Sequence, residues 1–135
     1  MEDIKRIENA GVLYALIFRR DLSVKNGVRF PAGGDAGLQI GFFERETGYQ
    51  SEPHRHQPRN ISLEHIAEFL SIEKGKVTVT IYDEEWTSIA EETVQSGQCI
   101  VFLQGGHAIT MLEPTRIMEV KQGPYMENDK IFQNT

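Results

Sequence analysis

The chain has 135 residues, which fits one domain with one substantial core. Apolar residues make up 39% and charged residues 25%, the ordinary balance of a globular protein. A net charge of −6 argues against nucleic acid as the main partner, and a single cysteine, Cys99, excludes an internal disulfide.

The chain opens on "MEDIKRIENAG", which mixes both charges and lacks the apolar stretch of a signal peptide. Together with the cysteine count this gives the expectation of a cytoplasmic protein. "MEDIKRIEN" is the one segment that reads as a short helix. "VLYALIF" is rich in β-formers, ends at Arg19-Arg20, and is far too short to span a bilayer, so no membrane partner is expected. "VKNGVRFPAGGDAG" reads as a loop, with Asn-Gly, a proline and a glycine cluster. "LQIGFF" follows as a strand. "HIAEFLSI" and "VTVTIYD" flank "EKGK", a hairpin signal with Gly75 available for positive φ. "CIVFLQ", "HAITML" and "RIMEVKQG" complete the strands. No repeat or linker interrupts the chain. Short strands, glycine-rich turns and almost no helix predict an antiparallel sandwich or barrel, one domain over 1–135 with its core at about 11–123.

The chemistry starts at "EPHRHQPR". His54 and His56 sit one residue apart between two prolines, and the chain has only four histidines. On a strand, residues i and i+2 share a face, so both rings would aim at one ion. An H-x-H alone is weak, and two surface histidines is the plainer reading of it. Glu68 strengthens the case. In "HIAEFLSI" it shares alternation with Ile66, Leu70 and Ile72, and a carboxylate on an apolar face is costly unless paired or metal-bound. His65 falls on the opposite parity and reads as structural or exposed. In "HAITML", His107 alternates with Ile109 and Met111, directly after Gly105-Gly106, which would let the backbone approach closely. Taken alone His107 would pass for a core histidine. The convergence of three histidines and a carboxylate on short strands is what points to a metal centre.

These residues resemble the motifs of the cupin superfamily of small jelly-roll β-barrels. The first motif is matched by Gly48, His54, His56, Glu68 and Gly75, with "QPRNISLEHIA" a longer spacer than usual. The second is matched by Gly97, Gly105 and His107. Leu103 replaces the usual proline, one residue is missing before His107, and Met111 stands for the usual asparagine. "QGGHAITMLEPTRIMEVKQGPY" is similar to a branch of small bacterial cupins, some associated with sugar or polysaccharide genes. The resemblance implies an all-β antiparallel jelly-roll barrel. It implies one divalent transition metal ion (Fe, Mn, Zn or Ni) held by His54, His56, Glu68 and His107.

Three histidines and a carboxylate leave coordination positions open, the mark of a catalytic rather than a closed structural site. The expected function is a metal-dependent enzyme acting on a small oxygen-rich molecule, a sugar or carboxylate, by Lewis-acid or dioxygen chemistry. The alternatives are a non-catalytic ligand-binding or sensing barrel, and a metal-free sugar-nucleotide isomerase or epimerase. No catalytic acid or base is assigned. Gln50, Arg59, Gln122 and Tyr125 are candidate substrate contacts. Gln50 shares the His54 face, Arg59 could hold an anion, Gln122 joins Met118 and Val120 in alternation, and Tyr125 follows Gly123-Pro124 at the mouth. Trp86, in the turn-like "DEEWTS", reads as an interface residue, and Cys99 as core. A small-molecule ligand and a homodimer are the expected partners, because small barrels have edge strands to cover.

Overall fold

The computed structural model describes residues 3–24 and 27–134. Ten strands are formed: β1 (Ile4–Asn9), β2 (Val12–Arg19), β3 (Gly27–Arg29), β4 (Phe42–Glu44), β5 (Glu68–Lys74), β6 (Lys76–Tyr82), β7 (Ser88–Gln95), β8 (Gln98–Phe102), β9 (Gly106–Met111) and β10 (Arg116–Lys121). No helix occurs among the described residues, and none is therefore long and apolar enough to cross a membrane. The sheets are antiparallel. One has five strands in the order β1-β2-β8-β5-β10, one has three in the order β7-β6-β9, and β3 with β4 forms a separate hairpin. Among the described residues no sheet closes on itself, so the expected barrel is an open, layered arrangement here.

The layers follow from alternation. On β8, Ile100 and Phe102 join a core with Val77, Val79, Ile81 and Val94 of the three-stranded sheet. Cys99 and Val101 point the other way, into a second core with Ala32 and, partly buried, Leu38, Ile40 and Phe42. The five-stranded sheet is thus covered on both faces, which is why "VLYALIF" and "CIVFL" are apolar almost throughout. Each fully buried Ile, Leu or Val side chain contributes about 1.5–3 kcal/mol by leaving water. Cys99 is 1% exposed, and burial raises its thiol pKa, as a core residue requires.

Four local readings are corrected. The segment expected as a helix is β1. Ile4 and Ile7 are three apart, a helical spacing, but on a strand an odd spacing puts them on opposite faces. Because both faces of the sheet are covered, Ile7 enters the first core and Ile4 packs on the second. β7 has no counterpart in the sequence reading. It is an edge strand whose Val94 alone is fully buried, while "AEE" breaks the usual strand composition. "LQIGFF" is a strand only from Phe42, although Leu38 and Ile40 still pack inward. The loop beginning at Val24 contains β3, and Lys25 and Asn26 of that stretch lie outside the described residues. The β5–β6 turn is as expected: Gly75 has φ +99°, and a Cβ there would meet the Pro114 carbonyl oxygen at 2.5 Å.

Candidate metal centre

Glu68 opens β5 and His107 lies near the start of β9, so they belong to different sheets. Glu68 has the parity of Leu70 and Ile72, both in the core between the sheets. His107 has the parity of Ile109, which packs on the same core. The two side chains meet in that gap: Nε2 of His107 is 3.6 Å from Oε2 of Glu68, with 25% and 22% of the respective side chains exposed. Phe102 fixes the imidazole plane. It is the cross-strand partner of Glu68, and its ring stacks on His107 at 3.9 Å and 7°.

The turn before β9 is built for this approach. Gly105 has φ +76°, and a Cβ there would collide with the Tyr82 carbonyl. Its N–H donates to Oε1 of Glu84 at 3.1 Å. Gly106 lies under Trp86, whose ring would be 2.5 Å from an added Cβ. Trp86 is therefore packed on this turn and against Tyr82. His65, 3.5 Å from the same Glu84 carboxylate, ties the approach to β5 to the approach to β9.

Burial dominates the electrostatics. It raises the Glu68 pKa, and the Glu119 carboxylate adds to the effect, while Lys121 and Lys130 oppose it. Burial lowers the His107 pKa, opposed by Glu119 and aided by Lys130. The environment favours a neutral imidazole with its lone pair available, the form a metal needs.

His54 and His56 are placed differently from the strand reading. Residues 50–67 contain no strand, and every residue of 43–62 is exposed. The two rings remain neighbours, with centroids 5.6 Å apart. His54 Nδ1 donates to the Glu52 carbonyl at 2.7 Å, which leaves Nε2 as the free nitrogen. Glu68 and His107 are brought together, and His54 and His56 are brought together, but the two pairs are not joined. Among the described residues no group of three or more His, Cys, Asp or Glu side chains is assembled to hold an ion.

The other candidates lie apart from the Glu68–His107 pair. Gln50 and Arg59 are exposed in the same strandless segment. Gln122 lies past the end of β10, and its amide donates to the Gly123 carbonyl at 3.0 Å. The parity on β10 is the reverse of the expected one. Ile117 packs on the inner core, and Glu119 and Lys121 share its side, while Met118 and Val120 are about half exposed on the other. Tyr125 is 87% exposed and borders a depression of about 340 Å³ with Lys121, Asp129 and Lys130. Phe102, Glu119, Lys121 and Lys130 were not singled out in the sequence. Lys121 is the cross-strand partner of Glu68, so correct alternation in "RIMEVK" would have found it.

Glu68 and His107 would offer one ion a carboxylate oxygen and a neutral imidazole nitrogen. A search for relatives adds no constraint: no family profile, curated protein or solved structure matches this chain.

Proposed function

We propose that the chain is a metal-binding protein of cupin type, an open jelly-roll whose centre is formed by Glu68, His107, His54 and His56. In this reading it is an enzyme acting on a small oxygen-rich, anionic molecule. The observation that carries the proposal is the Glu68–His107 contact of 3.6 Å, made between two sheets in a partly buried gap. Nothing in packing alone calls for a carboxylate at that position, whose burial is unfavourable without a partner.

A divalent ion bound there would supply Lewis acidity to an oxygen of the substrate. The chain's own residues do the rest. Phe102 holds the His107 plane. Lys121 and Lys130, whose charges act on Glu68, attract an anionic group to the pair and its neighbouring depression. The apolar floor of Leu70, Ile72 and Ile109 keeps bulk water from one side.

A metal-free reading has its own support. Burial raises the pKa of Glu68 and lowers that of His107, and the two groups lie 3.6 Å apart, the elements of an acid–base pair for isomerisation.

Elemental analysis of untagged protein, with a turnover panel of sugars, sugar nucleotides and small carboxylates, separates the two. The metal reading predicts stoichiometric metal that His107→Ala or His54→Ala abolishes and His65→Ala retains. Turnover that survives complete chelation would replace it with the acid–base reading.

A further inference from the structure

We infer that two copies of the chain pair β10 with β10 about a two-fold axis at Val120, joining their five-stranded sheets into one. The inference does not depend on a bound metal.

β10 pairs with β5 on one side and ends the five-stranded sheet on the other. Its outer N–H and C=O groups are a template for another strand. The register with β5 is regular from Ile117 to Lys121, so the edge there is unbroken. The opposite edge of the sheet is guarded. β1 carries a bulge between Ile7 and Glu8, and its charges are used: Lys5 reaches Glu92 at 2.6 Å and Arg6 reaches Glu8 at 2.9 Å. Among the described residues neither Glu119 nor Lys121 of β10 makes an ion pair.

The face that carries the second core stops short at this edge. One cross-strand row runs Leu16, Val101, Phe69, Val120. Leu16 and Val101 are fully buried, Phe69 is partly buried, and Val120 is 48% exposed. The next row runs Phe18, Cys99, Ser71, Met118, and is buried up to Met118, which is 50% exposed. Each row is thus complete except at its last strand. A strand added at β10 would continue both.

The sequence of β10 selects the register. A two-fold axis perpendicular to the sheet keeps every side chain on its own face, so it sets residues of equal parity opposite each other. Centred on Val120, it sets Val120 against itself, Met118 against Gln122, and Glu119 against Lys121 twice. No other centre within β10 opposes unlike charges of that strand. Arg116, Glu119 or Lys121 as centre sets a charge against itself, which is unfavourable. Met118 as centre sets Glu119 against Ile117 and Arg116 against Val120, and Ile117 as centre sets Arg116 against Met118. The occupant is a second copy because the edge is complementary to itself. Pairing ends near Gln122, since Pro124 has no N–H to offer. Lys121 is the cross-strand partner of Glu68. The row between them therefore continues into Glu119 of the second copy, and each copy places a carboxylate in the charge balance of the other's Glu68–His107 pair.

Two measurements test this. In sedimentation at micromolar protein the wild type should be a dimer. Glu119→Lys and Lys121→Glu should each be monomeric, the two mixed should form a heterodimer, and Glu119→Lys/Lys121→Glu should be a dimer again. Arg59→Glu, an equal change of charge away from the edge, should stay dimeric. A monomeric wild type, or a dimer that both single reversals leave intact, overturns the inference.

The second fixes the axis. Facing Val120 side chains lie about 4.5–5.5 Å apart at Cβ. The two Met118 positions are four residues out of step, about 14 Å at about 3.4 Å per residue. Methanediyl bismethanethiosulfonate should therefore link Val120→Cys protein into covalent dimers and leave Met118→Cys unlinked, with Cys99 out of reach at 1% exposure. Linkage at Met118→Cys, or at neither, overturns the inference.

Discussion

Glu68 and His107 are pulled in opposite directions by the same burial, and this sets the pH behaviour of the metal-free protein. The folded-state pKa of His107 lies below its ordinary 6.5, so the unfolded chain takes up the proton more readily. Its contribution to stability is full above pH 6.5 and is lost as pH falls from there through the folded value. Glu68 has a folded-state pKa above its ordinary 4.5, so its contribution is full below pH 4.5 and is lost as pH rises through the folded value. With chelator present at pH 7, Glu68→Gln should therefore stabilise the fold, by about 1 kcal/mol in urea unfolding. With zinc present the sign should reverse, because an amide is a poorer ligand than a carboxylate. Under chelation, in a Glu68→Gln background that removes the opposing carboxylate, stability should fall as pH drops below 6.5, and His107→Asn should flatten that fall. A Glu68→Gln profile as flat with His107 as with Asn would contradict the assigned burial of the imidazole.

At the scale of elements, the turn that presents His107 is the most constrained. Gly105→Ala should cost about 1–3 kcal/mol from positive φ alone, with the collision at the Tyr82 carbonyl added. It should also weaken zinc binding, since β9 must shift. Gly97→Ala serves as a comparison: it has φ +89° but an added Cβ meets nothing within 4 Å, so it should lose stability and keep its zinc. Equal zinc affinity in both variants would show that Gly105 does not position the site. These same elements show what the sequence discloses. Alternation in "EFLSI" and "HAIT" places Glu68 with Leu70 and Ile72, and His107 with Ile109, on the faces that meet in the core between the sheets. Elsewhere it misleads. β10 lies at an edge, so Met118 and Val120 are half exposed and look like a buried pair only on paper. β1 is an outer strand whose two apolar residues go to opposite faces, Ile7 to the first core and Ile4 to the second, so it lacks an apolar period of two. Residues 53–58 carry the strongest motif, yet a motif gives spacing along the chain and not the strand beside which it lies.

For the whole molecule, the account ties folding to metal. If zinc binds only the folded form, a concentration a hundredfold above its Kd should add about 2.7 kcal/mol to stability. The gain should disappear in His54→Ala/His56→Ala, whose side chains make no core contact that could otherwise be lost. An unchanged gain in that variant would place the zinc elsewhere. The most direct measurement is X-ray absorption at the metal edge of the loaded wild type, because it counts ligands without reference to activity. Glu68 and His107 by themselves supply one imidazole and one carboxylate. The account predicts three imidazoles and a carboxylate oxygen in the first shell, falling to one imidazole in His54→Ala/His56→Ala. One imidazole in the wild type, or sulfur in the shell, would contradict it.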